Sequence, residues 1–354
     1  MKKFLSVFGI IVVLTFISCS SEKGDTTRTI TPEKSSEENV ETISNTSEGL
    51  WDEDKTIKVE EELIIGKEYG EEAEMFRYIR GITFDADDNF YVNDSYELVI
   101  KIYNDRGKFI KSFGREGGGP GEFETIDDIH WCRFDNLLYI PDRRNNRINQ
   151  FSRDGKFMLA GMRFGGDFAD YRIIVVDHSS ENVIAEYGED FPIHSVGMEY
   201  FPNFSDVGII SGTRLYYSSP SEYKIVLFDK NLAKSKIIKK THPKMFVPQY
   251  VNGFYSDFNG VENMVKVNGN YIVGVSYTNT KEIPLFQQKL ELVNFVDNEK
   301  KSSYQLDIFD DDFQFLTSVK IPPERRLAGA DSKGRLYFIE NEPFPRLIRC
   351  RLGL

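Results

Sequence analysis

One unit occurs twice in this chain, and the repeat dictates the fold class. Phe90-Tyr-Val-Asn-Asp94 returns as Leu138-Tyr-Ile-Pro-Asp142, and Asp105-Arg-Gly-Lys-Phe109 returns as Arg153-Asp-Gly-Lys-Phe157. Both pairs are offset by about 48 residues, the spacing of four-stranded propeller blades. In the first copy, Val99–Tyr103 and Phe109–Phe113 are short β-prone runs flanking Asn104–Gly107. The residue types of that turn tolerate positive φ, which marks a hairpin. The glycine-rich stretch Gly117-Gly-Gly-Pro-Gly121 then leads into the second copy. No helix-forming segment with Lys-Ser/Thr follows these glycines, so they read as a blade crossing and not as a phosphate loop.

The amino terminus sets the compartment. Met1-Lys-Lys3 is followed by an apolar run from Phe4 to Ile17, too short to cross a bilayer and right for a signal-peptide core. Phe16-Ile-Ser-Cys19 resembles the end of a bacterial lipoprotein signal, although Phe16 stands where Leu is usual. The resemblance implies a signal peptide over 1–18 and a lipid on Cys19; an ordinary secreted protein is the plainer alternative. Residues 19–55 are rich in Ser, Thr, Glu, Asn and Lys and poor in large apolar residues, and are expected to form a disordered tether. The net charge of −12 argues against nucleic acid and against electrostatic adhesion to anionic lipid.

The remaining segment, 56–354, reads as all-β. Six units of four antiparallel strands are expected: 78–114, 126–162, 171–200, 207–239, 264–306 and a last one built on 326–330, 334–340 and 346–352. The fifth is assigned third and fourth strands at 289–295 and 303–306, and 315–319 is an edge or transition. The last unit is one strand short, and Thr56–Ile65 is a strand without a sheet. Joining the two closes a ring and removes an unpaired edge. Cys132 and Cys350 have no CxxC spacing and read as buried free thiols, a bridge formed by ring closure being the alternative.

The pattern Gly81…Asp85…Asn89-Phe-Tyr-Val-Asn-Asp94…Gly107-Lys-Phe109…Gly118-Gly-Pro-Gly-Glu-Phe123 resembles the NHL-type repeat, and more broadly the six-bladed β-propeller lipoproteins of Bacteroidota-like bacteria. The resemblance implies a six-bladed propeller on the cell envelope, at the outer membrane. Fold alone licenses no reaction.

In such a meander, loops after second strands share a face with the crossings between blades. That face gathers the longer, less repetitive loops and is the better candidate for binding. Asp142-Arg-Arg-Asn-Asn-Arg147 places Arg143, Arg144, Asn145 and Arg147 there, a set suited to a carboxylate, phosphate or sulfate, or else to pairing with Asp142 and neighbouring blades. Tyr96, Tyr187 and Tyr223 supply aromatic surface for a sugar or a protein. Asp94, Asp142, Glu186 and Glu340 are the carboxylates to inspect for a hard cation such as calcium; the alternative at Asp94 and Asp142 is capping of their own turns. No catalytic constellation is recognisable. The leading expectation is a non-catalytic binding module for an envelope protein or glycan, without a cofactor. The alternatives are a metal-dependent hydrolase resembling the lactonases, with a central cation, and an assembly scaffold. Replacing Cys19 by Ala should release the protein from membranes; retention of that variant in high salt would refute the anchor.

Overall fold

The computed structural model describes residues 40–51, 57–133, 135–161, 173–176, 183–187, 207–210, 214–218, 222–229, 234–242, 250–251, 254–255, 260–278 and 302–353. The fold is an all-β propeller of small antiparallel sheets. Strands β1 (Glu41–Asn45) and β2 (Val59–Ile65) come first. The first blade is β3 (Ile79–Phe84), β4 (Phe90–Asp94), β5 (Val99–Tyr103) and β6 (Phe109–Phe113). The second is β7 (His130–Cys132), β8 (Leu137–Asp142), β9 (Arg147–Ser152) and β10 (Phe157–Gly161). Strands β11 (Ile173–Val176) and β12 (Val183–Tyr187) pair in the span expected for a third blade; the rest of that unit lies outside the described residues.

The next blade is β13 (Val207–Ile210), β14 (Arg214–Ser218), β15 (Lys224–Phe228) and β16 (Lys234–Lys240), followed by a short pair, β17 (Tyr250–Val251) and β18 (Phe254–Tyr255). Then come β19 (Gly260–Val267), β20 (Asn270–Thr278), β21 (Ser302–Phe309) and β22 (Phe315–Ile321). The last blade holds β23 (Arg325–Ala330), β24 (Leu336–Glu340) and β25 (Arg346–Leu352). Five blades are therefore present among the described residues. Their first strands touch in the order β13, β19, β23, β3, β7, so the last blade lies beside the first.

The apolar pattern explains the stacking. Strand β4 is buried at every position, because Phe90 and Val92 face the last blade while Tyr91 faces the second. Period-two alternation here divides two cores rather than core and solvent. Outer β6 is largely open. Aromatic rings fill the seams: Phe90 lies 5.3 Å from Tyr103 and 5.4 Å from Tyr337, and Tyr91 stacks on Trp131 at 6.0 Å.

Two expectations are corrected. The third and fourth strands of the β19–β22 blade are 302–309 and 315–321, so 315–319 is an outer strand and not a transition. The proposed strand at 289–295 lies outside the described residues. The tether is also not strand-free. Glu41–Asn45 runs parallel to β16 as a fifth strand, and Leu50 and Trp51 donate backbone hydrogen bonds to the Phe315 and Leu316 carbonyls. Strand β2 then pairs antiparallel with β25, Val59 opposite Leu352. The amino-terminal segment thus runs along the outer strands of three successive blades. Asn45 fastens one of these steps: its Nδ2 donates to the Lys239 and Phe313 carbonyls, and its Oδ1 accepts from Phe315 N–H. Short polar segments look disordered in isolation because their hydrogen bonds are made to edges far away in sequence.

Between the β13–β16 and β19–β22 blades sits a buried ion pair. Lys240 Nζ is 2.6 Å from Asp307 Oδ2 and lies 3.5 Å from the centre of the Phe315 ring. Asp307 Oδ1 also accepts from Gln305 and Ser318. Burial lowers the Lys240 pKa, and Asp307 opposes that shift. Replacing Lys240 by Ala should cost about 3–5 kcal/mol in denaturant unfolding, since it strands a buried carboxylate; a loss under about 1 kcal/mol would show that the pair is dispensable. Cys132 and Cys350 are both free thiols. Burial pushes the Cys350 thiol up to about 11, so it should resist thiol reagents at pH 8 until the protein is unfolded.

Candidate functional site

The carboxylates that end the second strands work inward. Both Asp94 oxygens are occupied by backbone: Arg77 N–H and Tyr78 N–H each donate at 3.0 Å. Burial raises the Asp94 pKa, and these N–H bonds with Lys101 nearby pull it back. Asp142 does the same one blade on, accepting from Thr125 N–H at 3.0 Å and from Asn145 Nδ2 at 2.7 Å. Each carboxylate ties the incoming crossing to the end of its strand. Glu340, at the corresponding place in the last blade, pairs with Arg325 at 3.0 Å and with Arg346. Capping was anticipated for Asp94 and Asp142; that the capped groups belong chiefly to the preceding crossing was not. Among the described residues no three His, Cys, Asp or Glu side chains cluster to hold a metal ion. The side chains of Glu186 and Tyr187 lie outside the described part.

The arginine loop is divided by role. Arg147 folds over the glycine-rich crossing, donating to the carbonyls of Gly118 and Gly119 at 2.9 Å and of Glu122 at 2.8 Å. Asn145 Nδ2 adds a bond to the Gly117 carbonyl. Gly117 needs its residue type for its backbone, held at φ +146°. Arg143 lies 3.4 Å from Asp127. Arg144 is exposed, and its guanidinium has no partner among the described residues. Of the candidate anion set, Arg147 and Asn145 are committed to the crossing, and Arg144 faces solvent.

The aromatic candidates also separate. Tyr223 is a correction: it is 4 % exposed, packed against Phe309 and beneath Lys240, because it immediately precedes a strand buried on both faces. Tyr96 is 72 % exposed and stacks on Tyr78, ring centres 5.1 Å apart and planes 26° from parallel. Tyr78 had no sequence signal as a site residue; it precedes β3 and meets Tyr96 only through the β3–β4 pairing, Ile79 opposite Asp94. Beside them the 341–345 loop is fixed by Asn341, whose amide exchanges two 3.0 Å hydrogen bonds with Ile79 backbone. Tyr96, Arg144 and Glu342 occupy matching places two residues after Asp94, Asp142 and Glu340, and all three are exposed.

Comparison with known proteins agrees with this architecture. Residues 71–163 match the model of the DUF5128 family, described as a 6-bladed beta-propeller. No curated protein matches the chain. Among solved structures, a Bacteroides fragilis protein described as exported aligns at TM-score 0.58 and 10 % identity, over 88 % of this chain and 100 % of its own. A DUF4221 family member from Bacteroides vulgatus aligns at TM-score 0.54 and 9 % identity, over 84 % and 98 %. At these identities the likeness shows the fold alone.

Removing the Arg147 side chain should free three carbonyls and loosen residues 117–122. Arg147→Ala is expected to lose about 2–3 kcal/mol of stability with faster amide exchange confined to that crossing, whereas Arg144→Ala should change neither quantity. Equal effects of the two substitutions would overturn this division of roles.

Proposed function

We propose that the protein is a non-catalytic binding module of the bacterial envelope. It is a six-bladed propeller, its ring closed by β2 on the last blade and its anchor a lipid on Cys19. It engages an envelope protein or glycan through the face carrying the 94–98, 142–146 and 341–345 loops. The observation that carries this reading is the exposed Tyr78–Tyr96 stack. Such rings present apolar area that costs little entropy to bury, which suits recognition. The varied tips at Tyr96, Arg144 and Glu342, set on a repeated frame of carboxylate ties, support the same face. The lipoprotein-like Cys19 segment and an exported structural relative support the envelope setting. Of the carboxylates that a lactonase-like cation site would draw on, Asp94, Asp142 and Glu340 are engaged by protein groups, which weighs against that alternative.

Capture from solubilised envelope with the full chain tests this reading. A partner retained by the wild type should be lost with Tyr78→Ala/Tyr96→Ala, at unchanged melting temperature. A chelator-sensitive drop in melting temperature that calcium restores would favour the hydrolase instead.

A further inference from the structure

Exposed large apolar side chains on the blades are either scattered or gathered. Ile64, Ile110 and Met158 stand singly on the outer strands β2, β6 and β10. Tyr69, Tyr78 and Tyr96 instead belong to the segment that enters the first blade and to the β4–β5 loop, with Tyr69 82 % exposed. That segment is held in shape from below. Lys101 Nζ donates to the Glu72 and Met75 carbonyls at 2.7 and 2.5 Å, and the Tyr103 hydroxyl donates to the Ala73 carbonyl at 2.7 Å. Residues 72–75, between Tyr69 and Tyr78, are thereby fastened to β5.

Charge on the 66–78 segment is one-sided, in contrast to the exposed Arg144 tip of the next blade. Its two cations are paired, Lys67 with Glu74 at 2.7 Å and Arg77 with Glu97. Glu68 and Glu71 are exposed and have no side-chain partner among the described residues, and Glu72 is exposed beside them. Open ring faces attract cations through the aromatic quadrupole. Unpaired carboxylates add a long-range pull on the same partners and repel acidic ones, as does the net charge of −12. A neutral sugar could donate hydroxyl hydrogen bonds to those carboxylates but would gain nothing from their long-range attraction, which only a cationic partner uses.

We infer that the partner of this face is a basic polypeptide segment, whose Lys or Arg side chains lie over the Tyr78–Tyr96 stack and reach Glu68 and Glu71. The inference rests on the binding-face reading above and names its ligand class. The probe is a fluorescent peptide of alternating Lys and Gly, titrated with the full chain. Binding should weaken steeply as salt rises from about 0.05 to about 0.5 M. It should fall about tenfold in Tyr96→Ala and in Glu68→Gln/Glu71→Gln. Asp311→Asn/Asp312→Asn, on a hairpin at the opposite ends of the strands, should leave it unchanged. Equal loss in that control, or no loss in Tyr96→Ala, would overturn the proposal as general attraction to an acidic protein. A neutral oligosaccharide that binds through Tyr96 while the peptide does not would overturn it in favour of a glycan. Tyrosine-dependent envelope capture without peptide binding would also overturn it, and would leave the binding-module reading standing.

Discussion

The molecule depends on a joint that recurs where one blade meets the next. A blade is a single thin sheet with two apolar faces, so it is stable only when both are covered by neighbours. At the outer rim this cover is made by a side chain lying on the hairpin glycine of the following blade. Phe113 packs on Gly155 and Leu63 on Gly107, where a Cβ would fall 2.4 and 2.5 Å from the packed side chain. The same glycines hold φ +73° and +82° in their turns. One residue type therefore meets two demands, the left-handed turn and the close approach. At the joint between the β13–β16 and β19–β22 blades the corresponding turn carries Phe313 at φ 60° instead, and Asn45 hydrogen-bonds across the gap.

Much of this was legible because the turn chemistry is local. Asp85, Asn104 and Asp331 each accept two backbone N–H groups, two and four residues onward, which is the arrangement their sequences announce. The blades that repeat this chemistry were placed correctly from residue types. The β21 strand was found but ranked fourth instead of third, because residues 279–301 separate it from β20 and a strand-like stretch within them takes the third place. Strand β1 was invisible for a different reason. Glu-Thr-Ile-Ser-Asn has one apolar residue and no period to read, and its partner lies 194 residues away in the Asn45–Lys239 contact.

The candidate site was half legible for a related reason. An arginine cluster in an acidic chain suggests an anion, yet the acceptors that Arg147 finds are backbone carbonyls of its own crossing. The first blade performs the same task with Lys101, which holds the Glu72 and Met75 carbonyls. In the second copy Asn149, not a cation, stands at the place equivalent to Lys101, so the cation has moved two residues along the third strand, to Arg147. A sequence shows that a cation is present; only the geometry shows that a tight crossing with several inward carbonyls has consumed it. Tyr223 makes the same point for aromatic residues, since its flanking strand is buried on both sides.

What the frame consumes defines what is left for recognition. Asp94, Asp142 and Glu340 keep one chemistry because each secures the end of a strand with buried polar contacts, and loss of such contacts is costly. Two residues on, the chain is Tyr96, Arg144 and Glu342, an aromatic, a cation and an anion at one solvent-facing position. A position whose backbone is fixed by its neighbour and whose side chain touches nothing structural is free to vary without cost to the fold. The repeat thus supplies rigid sites and leaves their chemistry unspecified. On the first blade that open position meets a second one, Tyr78, and the pair stacks at 5.1 Å. Stacking fixes both rings before any partner arrives, so less entropy is lost on binding than for two independent side chains. In the first, second and last blades the regular half of the unit builds the frame, and its irregular tip is what the frame leaves exposed.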